Sequence, residues 1–363
     1  MANIYARSPH IVKVSSLTQL GSKIELYIYD GSSGGPPVSP QYTLSKLIPA
    51  SNNTDTYYNI SPYLREYLEQ DWSLNYNTVN DLTTYSRWTW VEYKTYNLTG
   101  SGYVLDQTQV FRVFDGYGYY EDGVNPDLGS ILLGNGTKHY YWYDHANTPS
   151  SIASHRAGMV TALLERDWFV YRQNLVNPAL TQTHTYTTGG IYDLFRVNPT
   201  WYADGNIMQI YDDLSVLQWE ATFIPKVECR YTPMTIDFIN RYGGWQREFF
   251  FKASQELLNV NNTTYNLMMD EILPYTLADG QRAVFNANGI RKYMINTGWV
   301  DESYGETIQE LLLSERVIWN DSNQALPVKI NTKNINKQKN INNKTINYQL
   351  EIELAFDVIN SVV

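Results

Sequence analysis

The sequence predicts a mainly β fold, built as antiparallel β-sandwich-type domains with a few short helices, and three observations carry that prediction. Residues 346–358 read INYQLEIELAFDV, which puts Ile346, Tyr348, Leu350, Ile352, Leu354, Phe356 and Val358 on one face of an extended strand and Asn347, Gln349, Glu351 and Glu353 on the other. A period of two sustained over that length specifies a long half-buried strand. Elsewhere short strand-like runs are cut by Gly, Pro, Asn and Ser clusters at the spacing of a sandwich. The aromatic share is 14%, with 31 Tyr and 10 Trp; such rings suit pleated surfaces, and the excess over core needs suits partly wet contact surfaces.

Taken in order, residues 23–29 (KIELYIY) read as a strand ending at Asp30-Gly31, followed by SSGGPPVSP, which cannot continue a hydrogen-bonded ladder and must be a surface loop. Ser61-Pro62 starts a short helix, with serine available to cap free amides and proline tolerated at the first position. Tyr63, Leu64, Tyr67 and Leu68 form its apolar stripe. Residues 87–96 (RWTWVEYKTY) and 109–114 (QVFRVF) resume strands, with Trp88, Trp90 and Glu92 sharing a face.

From Asp115 to about Trp219 the alternation weakens into Gly-, Tyr- and Asn-rich stretches expected to be loops, apart from a helix over 152–168 weakened by Gly158. Residues 218–231 and the Phe249-Phe250-Phe251 run restore strand character, and Gly243-Gly244 marks a tight hairpin turn between them. A helix over about 304–314 has Ser303 and Glu306 at capping-box spacing and Ile308, Leu311 and Leu312 as its stripe. Between Lys329 and Lys344 stand five lysines and no acid (Lys329, Lys333, Lys337, Lys339, Lys344), read as a hairpin tip leading into the terminal strand. The chain therefore divides into an N-terminal β-rich region, 1–225, with a further split near 115–130 as the alternative, and a C-terminal domain, 226–363.

A net charge of −10 argues against nucleic acid as the main partner, because phosphate binding requires a positive field. One cysteine, Cys229, excludes an intrachain disulfide and a cysteine metal cluster. The opening MANIYARSPHIVKV lacks the apolar core of a secretory signal, and no stretch approaches 18 apolar residues, so the expectation is a chain made and assembled in a cytoplasm, with no membrane partner. Gly-rich nucleotide loops, His-Glu-x-x-His and Gly-x-Ser-x-Gly are absent.

Three weak constellations bear on chemistry. His139 and His145 would share a strand face with Asp144 opposite, and a metal would need His155 or His184 as a third ligand. Asp115, Glu121, Asp122 and Asp127 cluster in a Gly-rich stretch but lack the ordered alternation of a calcium loop. Asp212-Asp213 are adjacent carboxylates, whereas glycosidase acids must face each other across about 5–9 Å. None outweighs its plain alternative, and the expectation is no enzyme, no metal and no cofactor.

Several stretches taken together carry a resemblance. ARSPHIVKV leads into KIELYIYDG and ISPYLREYL; the middle holds FRVFDGYGYYEDGVNP and VECRYTPMTIDFINRYGGWQREFFFKAS; the end holds INTGWVDESYGETIQELLLSERVIW and INYQLEIELAFDVIN. This layout resembles structural proteins of tailed bacteriophages, the crAss-like and related groups among them, encoded with tail and neck genes. The resemblance implies a non-enzymatic virion subunit of a tail or neck ring or a baseplate-like assembly. Its implied partners are other virion proteins and copies of itself. A glycan-binding adhesion module of the same particle, with a host surface glycan as partner, is the alternative. The candidate subunit contacts are the lysine-rich arm (Lys329, Lys333, Lys337, Lys339, Lys344) and an acidic surface at Asp115, Glu121, Asp122 and Asp127, which opposite charge would bring together.

Overall fold

A computed structural model describes residues 3–17, 19–30, 35–49, 54–68, 81–82, 88–129, 138–143, 160–194, 202, 204–228, 230–267, 278, 280–321, 324–337 and 345–360. The fold is mainly β with several antiparallel sheets and no closed barrel. One five-stranded sheet runs in the order β1 (Asn3–Tyr5), β8 (Gly102–Phe114), β7 (Trp88–Thr99), β3 (Gly21–Tyr29) and β4 (Tyr42–Leu47). A two-stranded sheet of β2 (Ile11–Ser15) and β5 (Asp55–Asn59) and the short helix α1 (Ser61–Arg65) share a core with it. Val12, Val14, Ile24, Leu26, Tyr58, Leu64 and Val91 are all buried there. Expected alternation explains β3, where Ile24, Leu26 and Ile28 point inward while Lys23 and Glu25 pair on the wetter face.

A second five-stranded sheet has the order β12 (Thr181–Thr185), β11 (Phe169–Asn174), β14 (Asn206–Tyr211), β15 (Leu217–Val227) and β9 (Lys138–Tyr143). The largest sheet has ten strands: β18 (Gln255–Asn266), β19 (Arg282–Asp301), β22 (Thr345–Leu354), β21 (Gln324–Ile330), β20 (Val317–Asp321), β16 (Met234–Ile239), β17 (Trp245–Phe250), β10 (Val160–Leu164), β13 (Gly190–Leu194) and β6 (Asp81–Leu82). Among the described residues every pairing is antiparallel except β1 with β8 and β9 with β15. Val170, Met208, Ile210 and Phe223 of the smaller sheet share one core with Ile236, Phe238, Phe250, Leu350 and Ile352 of the larger. The helix α2 (Tyr304–Leu313) adds Tyr304, Ile308 and Leu311 to that core.

β22 lies between β19 and β21, with Tyr348, Leu350, Ile352 and Leu354 buried. It ends at Leu354, sooner than the alternation suggests: Phe356 and Val358 are exposed in an irregular tail that keeps single backbone bonds to its neighbours, the Ala355 amide to the Pro327 carbonyl at 2.9 Å and the Val358 amide to the Gly289 carbonyl at 2.7 Å. The hairpin turn between β16 and β17 is built by Asn240, whose Oδ1 accepts the amides of Tyr242 and Gly244, each at 3.0 Å. Gly243 takes φ +84°, and a Cβ there would meet the Asp115 amide at 2.8 Å, so this position requires glycine.

Five expectations are corrected. Residues 115–129 form the expected loop with one 3-10 turn, but among the described residues beyond it the stretch to 219 holds six strands (β9 to β14), because cross-strand pairing compensates for weak alternation. The helix expected over 152–168 is absent from its described part: 160–164 is a strand paired with β13 and β17, and 151–159 lie outside the described residues. Ser61 does not cap α1; it lies within the helix, and its hydroxyl donates to the Ser8 carbonyl and accepts the His10 amide. Ser303 holds the N-cap position of α2 without capping: its backbone is already helical (φ −61°, ψ −23°) rather than extended as a capping residue requires, and its hydroxyl donates to Asp301 at 2.8 Å. The division expected near 225 falls inside β15, and the ten-stranded sheet joins β6, β10 and β13 to strands from beyond it.

Candidate assembly interface

Two features stand out from this framework, one sealed and one open. The sealed one lies at the centre of the ten-stranded sheet, where β16 and β17 are buried on nearly every residue. Asp237 and Arg247 pair directly across the two strands as a doubly hydrogen-bonded ion pair with no exposed side-chain surface. On the other face of β17 the Glu248 carboxylate accepts the Tyr304 hydroxyl at 2.6 Å and the Gln246 amide at 2.7 Å, with His139 Nδ1 at 3.6 Å. Burial, followed by the neighbouring carboxylate, pushes the Tyr304 phenol well above its ordinary range, so Tyr304 remains a donor. Glu248, Tyr304, Gln246 and His139 are at most 3% exposed. The arrangement joins β9, β17 and α2 and offers solvent no approach to its carboxylate.

The open feature is the hairpin of β18 and β19. All twelve residues of β18 are exposed, on both faces, although the strand is fully paired with β19. One face carries Leu258 and Val260 opposite Arg291 and Gly289, then Val284; the other carries Leu257, Tyr265 and Phe285. Tyr265 and Phe285 meet edge to face at 6.3 Å. β22 flanks β19 only as far as Lys292, so the ribbon beyond that point extends past the body of the sheet for roughly 25 Å. Asn286, at φ +59°, forms a bulge in β19, and the tail reaches this strand through the Val358 amide on the Gly289 carbonyl at 2.7 Å. β18 has neither device: it forms one edge of the ten-stranded sheet with no proline, no lysine and a single charge, Glu256. Long edge strands without such protection present a row of free donors and acceptors to another strand.

The lysines and acids singled out in the sequence are placed less simply. Lys329 lies at the end of β21 and pairs with Glu353 at 3.2 Å. Beyond it, Asn331 bonds both Glu351 and Glu353, Ile335 packs on the core, Lys333 is exposed, and Lys337 donates to Gln309 of α2. Lys339 and Lys344 lie outside the described residues. Asp115 is buried 3.9 Å from Arg65, with burial pushing its carboxyl upward. Asp122 accepts the Tyr119 amide and pairs with Arg241 at 2.5 Å. Asp127 accepts the Gly129 amide at 3.1 Å, and Glu121 is exposed. Within one chain a member of each group adjoins α2: Lys337 meets Gln309, while Arg241, the partner of Asp122, donates its amide to Glu310.

His139 and His184 occupy opposite edge strands of the second five-stranded sheet, roughly 19 Å apart by strand spacing; Asp144, His145 and His155 lie outside the described residues. Among the described residues no three His, Cys, Asp or Glu side chains converge on a metal-sized site, and no helix is long and apolar enough to cross a membrane. Asp212 holds the β14–β15 turn, accepting the amides of Leu214 and Val216 and the Gln218 side chain. The exposed ribbon went unremarked in the sequence, although Leu257-Leu258 side by side and one charge in twelve residues were available as signals.

No protein-family model matches the chain, and no curated protein matches it.

Proposed function

We propose that this chain is a non-enzymatic structural subunit of a tailed-bacteriophage virion, part of a tail or neck ring or a baseplate-like assembly. The observation that carries this reading is the β18–β19 ribbon, a paired but solvent-exposed arm with apolar residues on both faces. An isolated two-stranded hairpin is marginal in water. Leu257, Leu258, Val260, Val284 and Phe285 are each about half exposed or more, which is the composition of a surface awaiting a partner. The layout resemblance to phage structural proteins supplies the setting, and assembly in the host bacterial cytoplasm fits a subunit of this kind.

A second reading, the glycan-binding module, is favoured by Trp299. It is 65% exposed on β19, and its carbonyl accepts a hydrogen bond from Lys226 Nζ at 2.7 Å. An exposed indole is a stacking platform for a sugar ring.

Mass measurement of the native protein, with electron microscopy of the same sample, separates the two. The assembly reading expects discrete rotationally symmetric oligomers, formed alone or with the particle's other tail proteins. A chain that stays monomeric in both settings and binds host surface glycans through Trp299 would contradict it.

A further inference from the structure

We infer that the open edge of β18 pairs with the same edge of a second copy of this chain, antiparallel about a two-fold axis at Asn261, which joins two ten-stranded sheets across one continuous ladder. This inference rests on the assembly reading above and names one of its contacts.

Three observations select a second copy as the occupant. The first is charge. The protein carries −10 overall, so copies repel one another except where charge is missing or compensated. β18 holds one charge in twelve residues, and that residue, Glu256, lies 3.7 Å from Arg291 of the same ribbon. Two copies meeting here bring no uncompensated like charges together.

The second is that the strand complements itself. In an antiparallel ladder, outward-pointing groups pair only with outward-pointing groups, so residues of the same parity must face each other and side chains stay on matching faces. With Asn261 opposite the partner's Asn261, Leu257 faces the partner's Tyr265, Leu258 the partner's Thr264, Asn259 the partner's Thr263, and Glu256 the partner's Asn266. Symmetry makes each of these contacts twice. The register sets an aliphatic residue against an aromatic one, a favourable cross-strand pair, and keeps the two glutamates apart.

The third is that, among the described residues, the ribbon is open along the β18 edge alone. The β19 side carries the Asn286 bulge, the cations Arg282 and Arg291, and the bound tail, all of which disfavour further strand addition. A two-fold contact closes on itself, so a ring larger than a dimer would use a second, different surface.

The axis residue supplies a selective test. Asn261→Lys places lysine against lysine across the axis, and Asn261→Asp places aspartate against aspartate; mixing the two variants restores an opposite pair. Because Asn261 is exposed, both variants should keep the parent's circular dichroism and melting temperature. Sedimentation velocity should show each variant dissociating, with pair affinity weakened roughly tenfold or more, and the equimolar mixture regaining the parent's mass. In a Cys229→Ser background, Asn261→Cys should form an interchain disulfide under mild oxidation, since directly opposed Cα atoms lie within bridging distance. A parent that is monomeric at every concentration overturns the pairing. Larger assemblies that both variants leave intact, without recovery on mixing or a disulfide at 261, also overturn it while leaving the assembly reading standing.

Discussion

β18 and β22 pair with the same strand, β19, yet one is exposed on every residue and the other buries every second side chain. The ladder each makes with β19 is similarly regular, broken by one register shift, although β22 also pairs with β21 whereas β18 is an edge. What differs is the third layer. β22 lies over a core shared with the smaller sheet, where Leu350 and Ile352 are fully buried. β18 and the outer half of β19 run beyond that core, and their apolar side chains pack only across the ribbon and stay about half exposed or more. Burial of side chains, rather than backbone pairing, therefore marks where the stable body of the protein ends and where a surface available to a partner begins.

The largest effect expected from this contrast is at Ile352. Ile352→Asp would bury an unpaired carboxylate between two strands and should abolish soluble folding, a loss of more than about 4 kcal/mol. Val260→Asp, the same charge on β18, should leave the urea midpoint of the parent nearly unchanged. A soluble, cooperatively unfolding Ile352→Asp protein would remove the basis of the comparison.

The sealed pair at the sheet's centre comes next. Asp237→Asn would take the carboxylate of a fully buried ion pair from Arg247, at a cost of about 3–5 kcal/mol. Equilibrium urea denaturation of the variant reads this directly, and a shift below about 1 kcal/mol would mean that solvent reaches the pair.

A pH dependence follows from His10, which is packed against Phe111 and whose pKa burial lowers from 6.5 to about 4. The folded state holds the neutral ring while the unfolded chain takes up a proton below pH 6.5. The stabilisation is thus complete above about 6.5 and is lost as pH falls toward 4. It amounts to about 3 kcal/mol at most. His10→Gln should flatten the decline in stability over that window, and an unchanged slope would assign the decline to other groups.

The smallest effect is expected on the ribbon itself. Leu258→Lys should change monomer stability by less than about 0.5 kcal/mol, because the side chain is already 56% exposed. A larger loss would show that β18 is held by contacts within its own chain.

Much of the framework was legible wherever one face of a strand was apolar and the other polar, as in β3 and in β22 up to Leu354. It was illegible where buried positions are polar. β11 turns Val170, Arg172 and Asn174 inward, and Asn174 is satisfied by the amides of Val176 and Asn177, so its strand shows no hydrophobic period. β12 (TQTHT) is an edge with little to bury, and its composition reads as loop. The lysines drew attention because charge is conspicuous in a sequence, yet Lys329 and Lys337 are engaged within the chain. The ribbon was missed for the opposite reason: paired leucines and scarce charge among neutral Asn and Thr residues are an inconspicuous signal until the third layer is known to be absent.

Hydrogen–deuterium exchange of the intact chain, at a dilution where it is monomeric and at a concentration where it assembles, tests the central claim most directly. The account predicts that the alternate amides of residues 255–266 that point away from β19 become protected on assembly, while those of the exposed edge β12 exchange alike in both samples. Exchange across β18 that is unchanged by assembly would contradict it.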